Sequence, residues 1–300
     1  MQTLLLFGLA GLLAQLVDGS LGMAFGVTAT TTLVAVGTAP AVASAAVHLA
    51  EVGTALASGA AHWRFRNIDW PTVATLAVPG AIGAVLGAYV LTSLPMEFAE
   101  VWITTVLLLL GLYVLIRFAF RRVGTLVTTR RPGARFLAPL GLVAGFVDAS
   151  GGGGWGPVAT TSLLSSGRLE PRKVVGSVDT SEFIVALAAS LGFLFSLSQE
   201  EELNYTVVAG LMVGGILAAP VAAWLVRKLP ARVLGAAAGG LIVFTNARSL
   251  LDSAGASTGV TTVALTAVGV LWAVGLVAAV QSVREERRAE ARDTEETPVG

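Results

Sequence analysis

Five carboxylates interrupt segments of the chain that are otherwise apolar. They are Asp18, Glu51, Asp148, Asp179 and Glu182. A carboxylate at the centre of a bilayer costs at least about 2.5 kcal/mol on the insertion scale, so such residues face a bundle interior and mark a functional site. His48 precedes Glu51 by three positions, so the two share one helix face. Asp179 and Glu182 have the same spacing. We predict that the five acids and His48 take part in proton coupling.

The same spacing leaves two other interpretations open. In the first, the paired side chains are structural and hydrogen-bond a neighbouring loop in place. In the second, His48 and Glu51 ligate a metal ion, as i, i+3 His/Glu pairs do in helical bundles. Only one histidine lies at depth in the apolar segments and the chain has no cysteine, so we predict no permanent metal site and no cofactor.

A glycine-rich stretch that breaks an apolar run occurs twice. Residues 146–163 read Phe-Val-Asp-Ala-Ser-Gly-Gly-Gly-Gly-Trp-Gly-Pro-Val-Ala-Thr-Thr-Ser-Leu, and residues 16–33 read Leu-Val-Asp-Gly-Ser-Leu-Gly-Met-Ala-Phe-Gly-Val-Thr-Ala-Thr-Thr-Thr-Leu. Asp18 matches Asp148 at an offset of 130 residues. The glycine and threonine positions that follow match at the same offset. Two polar, helix-breaking elements placed alike in two halves of an apolar chain predict the binding site of a membrane transporter.

The glycine-rich stretches suit a small anion. Without β-carbons, Gly151 to Gly154 let backbone amides approach a ligand closely, and Pro157 suits the first turn of a helix whose positive dipole end faces that ligand. Such amides bind anions without a basic side chain. The alternative is that the glycines serve close helix packing and that the threonines bond their own helix. The predicted substrate-binding residues are Gly22, Gly26, Thr30, Thr31, Ser150, Gly151, Gly152, Gly153, Gly154, Trp155, Thr160 and Thr161.

The composition is that of a helical membrane protein. Of 300 residues, 55% are hydrophobic and 13% are charged, and the mean hydropathy is +0.79, whereas soluble domains carry about 25% charged residues. Apolar segments long enough to span a bilayer recur along the chain, which predicts a polytopic protein in contact with lipid. The absence of cysteine excludes disulfides and thiol chemistry. The zero net charge gives no reason to expect a nucleic-acid partner.

The chain divides into two similar halves. Each begins with a broken apolar stretch, 4–36 or 136–166, which is too long for one straight crossing. Single helices are predicted at 41–62, 70–92, 98–118, 171–198, 204–227, 231–251 and 257–282. The predicted divisions are a first transmembrane repeat at 1–121, a cytoplasmic linker at 122–135, a second transmembrane repeat at 136–253, an extra transmembrane helix at 254–283 and a charged cytoplasmic tail at 284–300.

The basic residues predict how the halves lie in the membrane. If both broken stretches crossed the bilayer, Lys and Arg would divide 9 to 10 between its sides, against the positive-inside rule. If each stretch returns to the side it came from, 18 of the 19 basic residues lie on one side and only Arg248 lies opposite. We therefore predict an all-α polytopic membrane protein of two inverted repeats, with the N-terminus outside and the C-terminus cytoplasmic. Each repeat is a re-entrant broken helix hairpin plus three transmembrane helices, and one extra transmembrane helix follows. Hairpin arms of about 10–14 residues reach the midplane.

At these motifs the chain resembles the sulfite exporter TauE/SafE family of membrane permeases. The resemblance rests on the run from Asp148 to Pro157, on its echo from Asp18 to Gly26, on the block 44–51 and on the stretch 62–70, and it covers roughly residues 4–251. It implies transport of small sulfur-containing anions, such as sulfite or sulfonates, across the plasma membrane of a prokaryote. The first turn is thinner in glycine than the second, so we expect the two tips to contribute unequally.

Together these features predict a secondary transporter, not an enzyme, that carries a small sulfur-containing anion between the hairpin tips while Glu51 or Glu182 carries a proton. Its expected partners are the anion and the lipid bilayer, and self-association into a homo-oligomer is left open. The alternative is a cation- or metal-ion-permeable protein, because five buried acids without a buried Lys or Arg favour positive ions. A third alternative is an intramembrane hydrolase using Ser20 or Ser150 with His48, although these serines lack a Gly-x-Ser-Gly setting.

Overall fold

The computed structural model describes residues 2–21, 23–120, 131–197, 203–225 and 231–296, and every regular element within these ranges is a helix. Gly22, one of the predicted substrate-binding residues, lies outside them. A π-helical turn at Gly156–Thr160 precedes α7. The α-helices are α1 (Gln2–Leu21), α2 (Phe25–Ala35), α3 (Pro40–Arg64), α4 (Trp70–Ser93), α5 (Met96–Phe120), α6 (Ala134–Gly151), α7 (Thr161–Ser166), α8 (Pro171–Ser196), α9 (Tyr205–Leu225), α10 (Ala231–Ser253) and α11 (Thr258–Glu296).

Several of these helices have the length and apolar composition of membrane spans. They are Pro40–Arg64, Trp70–Ser93, Met96–Phe120, Arg172–Ser196, Arg232–Ser253 and Thr258–Glu286. These six helices confirm the prediction of an all-α polytopic membrane protein. The seventh predicted crossing is α9 (Tyr205–Leu225), whose side chains are described only as far as Ala218, so this crossing stays a prediction. Beyond the predicted extra helix, α11 continues into the charged tail as far as Glu296.

Both broken stretches form pairs of helices, but their arms are unequal. The first arms, α1 and α6, have 20 and 18 residues, whereas α2 has 11. The predicted arm length of 10–14 residues is therefore wrong for α1 and α6. The reason is that the helices continue through Asp18 and Asp148, which were expected to interrupt them. In the second half α6 ends only at Gly152, whose left-handed backbone (φ +71°) is a conformation that glycine favours.

Each hairpin packs against the half of the chain to which it does not belong. The first arm α1 lies along α9, and α6 lies along α4. Glycines allow these helices to come into backbone contact. A β-carbon on Gly83 would overlap the carbonyl oxygen of Leu142, and a β-carbon on Gly214 would overlap the carbonyl oxygen of Gly8. The two pairs are equivalent in the two halves of the chain. Helices α1 and α4 of the first half correspond to α6 and α9 of the second, so the pair α1–α9 corresponds to the pair α6–α4. The inverted orientation of the two halves in a membrane stays a prediction.

Both ends of the second hairpin lie at the loop between α3 and α4, which contains Asp69. Just before α6, Arg131 places its Nε 3.3 Å from Asp69 Oδ2. Near the start of α8, the hydroxyl oxygen of Ser177 accepts a hydrogen bond from the Asp69 N–H at 2.9 Å. The residues just before the hairpin and those just after it thus contact the same loop, which agrees with the prediction of a re-entrant hairpin. The side of the membrane on which this loop lies stays a prediction.

A leucine at Gly83 is expected to separate α4 from α6 and to destabilise the protein. A β-carbon there would collide with the Leu142 carbonyl oxygen and lie 2.9 Å from the Phe146 nitrogen, and backbone atoms yield little. Overpacking of this kind costs about 1–3 kcal/mol, so the detergent-solubilised Gly83→Leu variant should melt at a lower temperature, followed by tryptophan fluorescence. Gly269→Leu is the matched control, because nothing lies within 4 Å of a β-carbon at that position. Equal melting of the two variants would contradict the prediction.

Candidate functional site

The two glycine-broken tips touch each other inside the helical bundle. In α2, the hydroxyl of Thr30 donates a hydrogen bond to the carbonyl oxygen of Gly152. Gly26 lies so close to Gly153 that a β-carbon on Gly26 would come within 2.9 Å of the Gly153 Cα. Gly153 itself has φ +141°, which residues with a side chain rarely adopt. Glycine is therefore needed on both sides of this contact.

Asp148 joins the two arms of the second hairpin. Its Oδ1 accepts hydrogen bonds from the amides of Gly154 at 2.7 Å and Trp155 at 2.9 Å, at the start of the second arm. A carboxylate in this position is favoured by the free amides and by the positive end of the helix dipole. The backbone amides that were predicted to bind an anionic substrate therefore already donate to a carboxylate of the protein itself.

Asp18 repeats this geometry in the first hairpin. Its Oδ1 accepts the amides of Ala24 at 2.7 Å and Phe25 at 3.1 Å, the residues that match Gly154 and Trp155 at the offset of 130. The two aspartates hold their hairpins closed at equivalent positions. This agrees with the interpretation in which buried acids keep neighbouring loops in place.

His48 contacts the other carboxylate oxygen of Asp148. Its Nδ1 lies 2.8 Å from the carbonyl oxygen of Ser44, and since a carbonyl only accepts, Nδ1 carries a hydrogen. Its Nε2 lies 3.2 Å from Asp148 Oδ2, with the imidazole fully buried. Two atoms without a hydrogen between them would repel at this distance, so a further proton is shared by His48 and Asp148.

Glu51 completes a cluster of three side chains. It is 3% exposed, and its Oε2 has no hydrogen-bond partner among the described residues. Nitrogen or oxygen atoms from His48, Glu51 and Asp148 all lie within 4.8 Å of one another. The sequence prediction of no permanent metal site rested on the single histidine at depth and the absence of cysteine, whereas the fold brings a second carboxylate, Asp148, from the other half of the chain to the i, i+3 pair.

A small cleft lies between the tips, with free space of about 10 Å³, roughly what one water molecule needs. Gly151 lies against Val106, near the middle of α5, so the tips are at mid-height of the spanning helices. Three of the predicted proton-coupling acids line the cleft: Glu51 from α3, Asp148 from α6 and Glu182 from α8. The lining residues are Met23, Ala24, Phe25, Gly26, Val27, Glu51, Asp148, Gly153, Gly154, Trp155, Gly156, Pro157 and Glu182.

Asp179 lies outside the cleft lining and has partners of its own. Its Oδ2 accepts a hydrogen bond from the Ser58 hydroxyl at 2.8 Å and lies 3.3 Å from His62 Nε2. From the sequence, His62 suits an anchor at the membrane interface, and the structure pairs it with an acid predicted for proton coupling. Of the pair on α8, only Glu182 therefore reaches the cleft.

Most of the predicted hydroxyl donors are engaged within the protein. The hydroxyl of Thr161 donates to the carbonyl of Pro157, one turn earlier in its own helix. The hydroxyl oxygen of Thr31 accepts a hydrogen bond from Asn246 Nδ2 at 3.0 Å. Thr160 differs, because its buried hydroxyl has no hydrogen-bond partner among the described residues. Thr160 is not among the residues that line the cleft, however.

Trp155 and Ser150 are held by backbone carbonyls. The buried indole of Trp155 donates from Nε1 to the carbonyl of Val178 at 3.2 Å, so the ring forms a fixed wall of the cleft. The Ser150 hydroxyl donates to the carbonyl of Phe146 at 2.7 Å and makes no hydrogen bond with His48. This is not the geometry of a serine nucleophile with its base. The side chain of Ser20 lies outside the described part of the chain.

Sequence reasoning missed several residues that position the site. Ser44 has a visible signal, because it lies one helical turn before His48 and its own hydroxyl donates to the carbonyl of Ala149 at 2.7 Å. Asn246 is an amide within an apolar helix, which also marks an interior contact. The anchoring role of Asp69 has no sequence signal beyond that of a helix cap, since its partners Arg131 and Ser177 lie far along the chain.

Comparison with known proteins agrees with a multi-pass membrane transporter and not with an enzyme. The chain belongs to the sulfite exporter TauE/SafE family, whose model matches residues 7–249. It is 53% identical over 273 residues to the probable membrane transporter protein YtnM of Bacillus subtilis (strain 168), and the match covers 91% of each chain. No solved structure matches the chain. The family relation predicted from the glycine motifs is thus confirmed, as is the role of membrane transporter.

Proposed function

We propose that this transporter carries a small sulfur-containing anion, such as sulfite or an organosulfonate, through the cleft between its two hairpin tips, coupled to the movement of protons. The family supports the substrate class, since its description is that of a sulfite exporter. The distribution of basic residues supports a cytoplasmic C-terminus in the plasma membrane of a prokaryote.

The observation that carries the proposal is the cleft itself. Its walls combine the glycine backbone of both tips with apolar side chains, and it lies at mid-height of the spanning helices.

An anion in this cleft needs added positive charge. Asp18 and Asp148 already accept the amides at the start of the second arms, and the cleft is lined by further carboxylates. Glu182 lies within electrostatic range of Glu51 and Asp179, as well as of both aspartates. A proton on Glu182 removes one negative charge where the dielectric is low and electrostatic interactions are strong. Such a proton would enter and leave the site with the anion.

The test is sulfite flux into proteoliposomes under an imposed pH gradient, compared with empty vesicles. Glu182→Gln is permanently uncharged, so we expect its flux to lose the response to the gradient and to fall at least about tenfold, equivalent to about 1.4 kcal/mol. Glu97→Gln is the control, because Glu97 is an exposed acid in the first turn of α5. Gradient-driven flux that persists in Glu182→Gln would contradict proton carriage by this residue. Sulfite and sulfonate flux no faster than in empty vesicles would contradict the substrate class.

A second candidate is a protein that conducts cations or metal ions. It is favoured by the cluster of His48, Glu51 and Asp148, whose donor atoms lie within 4.8 Å of one another. The same proteoliposomes, loaded with a divalent-cation indicator, separate the two functions. Cation entry without sulfite movement would support this candidate in place of the anion transporter.

A further inference from the structure

We propose that His48, Glu51 and Asp148 form a binding site for a divalent transition-metal cation beside the cleft. The site joins one imidazole nitrogen and two carboxylates, which come from both halves of the chain and lie within 4.8 Å of one another. The inference does not depend on which solute the protein carries. It goes beyond the function proposed above, because it assigns a ligand to the residues that hold the tips.

His48 has the orientation of a metal ligand. Metal-binding histidines almost always donate their other ring N–H to a carboxylate, a backbone carbonyl or water, which fixes the ring and directs the free nitrogen at the metal. Here Nδ1 donates to the carbonyl of Ser44 at 2.8 Å, and Nε2 faces Asp148.

Asp148 is held in position by the hairpin. Its Oδ1 accepts the amides of Gly154 and Trp155, at 2.7 and 2.9 Å, which leaves Oδ2 directed at His48. Hydrogen bonds of this kind orient a ligating carboxylate and are part of the design of metal sites. The same aspartate therefore closes the hairpin with one oxygen and offers the other to a cation.

Glu51 provides the independent observation that something binds here. Its Oε2 is buried and has no hydrogen-bond partner among the described residues, and a buried polar atom without a partner is costly. Glu51 and Asp148 together supply two negative charges, which a divalent cation balances. A ligand set containing imidazole favours a first-row transition metal such as Zn²⁺ over Mg²⁺ or Ca²⁺, which prefer oxygen donors. Three protein ligands also leave a coordination position open towards the cleft.

The test is equilibrium binding of Zn²⁺ to the detergent-solubilised full-length chain, purified without a polyhistidine tag. Titration calorimetry should give one Zn²⁺ per chain, and Co²⁺ in its place should give visible absorption bands. Glu51→Gln and His48→Gln should each weaken binding by about 100-fold or more, because loss of an outer partner alone costs 10–100-fold. Glu51→Gln is the more informative variant, since Glu51 Oε2 has no hydrogen-bond partner to lose in the described part of the chain.

Glu97→Gln is the control, because Glu97 is an exposed acid in the first turn of α5 and lies outside the cluster of three. It should bind Zn²⁺ as the unaltered protein does. Absence of saturable Zn²⁺ binding in the unaltered protein would overturn the proposal, and so would unchanged affinity in Glu51→Gln. The measurement uses no anion and no membrane gradient, so it does not share its outcome with the flux test of the proposed function.

Discussion

Replacing Gly153 with alanine is expected to abolish most transport. Gly153 adopts φ +141°, and its β-carbon would collide with the backbone of Gly26 and Val27 in the opposite tip. Backbone strain in this region costs about 1–3 kcal/mol, and the collision adds to it by forcing the tips apart. Since about 1.4 kcal/mol is tenfold, we expect sulfite flux in proteoliposomes to fall by about tenfold to 100-fold.

Gly37→Ala separates the two causes. Gly37 also has a positive φ, of +87°, but nothing lies within 4 Å of a β-carbon there. This variant has strain without a collision between the tips, so its flux should stay close to that of the unaltered protein. A Gly153→Ala variant that transports as well as Gly37→Ala would show that contact between the tips is not required.

Replacing Asp148 with alanine is expected to have the largest effect on stability. The change leaves His48 without the partner that shares its proton, and it leaves the amides of Gly154 and Trp155 without an acceptor. Breaking a buried charged pair by removing one member costs about 3–5 kcal/mol. We expect the melting temperature in detergent to fall by about 10 °C, since 1 kcal/mol corresponds to roughly 2–4 °C in larger domains.

Two variants show whether the proton pair or the hairpin cap is responsible. Asp148→Asn keeps an oxygen for the two amides and can donate its NH₂ to His48, so it should restore most of the lost stability. Asp18→Ala removes the equivalent cap, formed with the amides of Ala24 and Phe25. Asp18 has no bond to a histidine among the described contacts, so Asp18→Ala should cost less than Asp148→Ala. Equal losses in the two alanine variants would contradict a special role for the pair with His48.

The spanning helices could be predicted closely because their signal is local. Predicted boundaries of 41–62 and 70–92 lie within two residues of the observed Pro40–Arg64 and Trp70–Ser93. Apolar length is set by the bilayer, and proline or a helix cap marks each start. The glycine motif was equally informative about where two segments meet, because only glycine allows the approach of Gly26 to Gly153.

The partners of the buried acids could not be predicted, because they lie far apart in sequence. Asp148 was predicted to interrupt its helix, yet the helix continues through it and its side chain bonds the amides that follow the turn. Asp179 shares a helix face with Glu182, but the fold pairs it with His62 at 3.3 Å. Sequence spacing gives the helix face on which an acid lies, and only the packing of the helices decides what that face meets.

Three of the four glycines of the second tip have separable roles. Gly152 ends α6 in a left-handed conformation, Gly153 contacts the first tip, and Gly154 donates its amide to Asp148. The first tip has Ala24 where the second has Gly154, and its amide bonds Asp18 in the same way. The thinner first motif thus keeps the cap, which needs only a backbone amide.

The central claim is that the two hairpins enter from opposite faces of the membrane and meet inside it. Because the chain has no cysteine, single cysteines introduced at Thr3, Val36, Gly133 and Lys173 test it by labelling with a membrane-impermeant maleimide. Gly133 is well suited, since nothing lies within 4 Å of a β-carbon there. We predict that positions 3 and 36 label from outside intact cells, whereas positions 133 and 173 label only after the membrane is opened. Labelling of positions 133 and 173 from opposite faces would contradict the account.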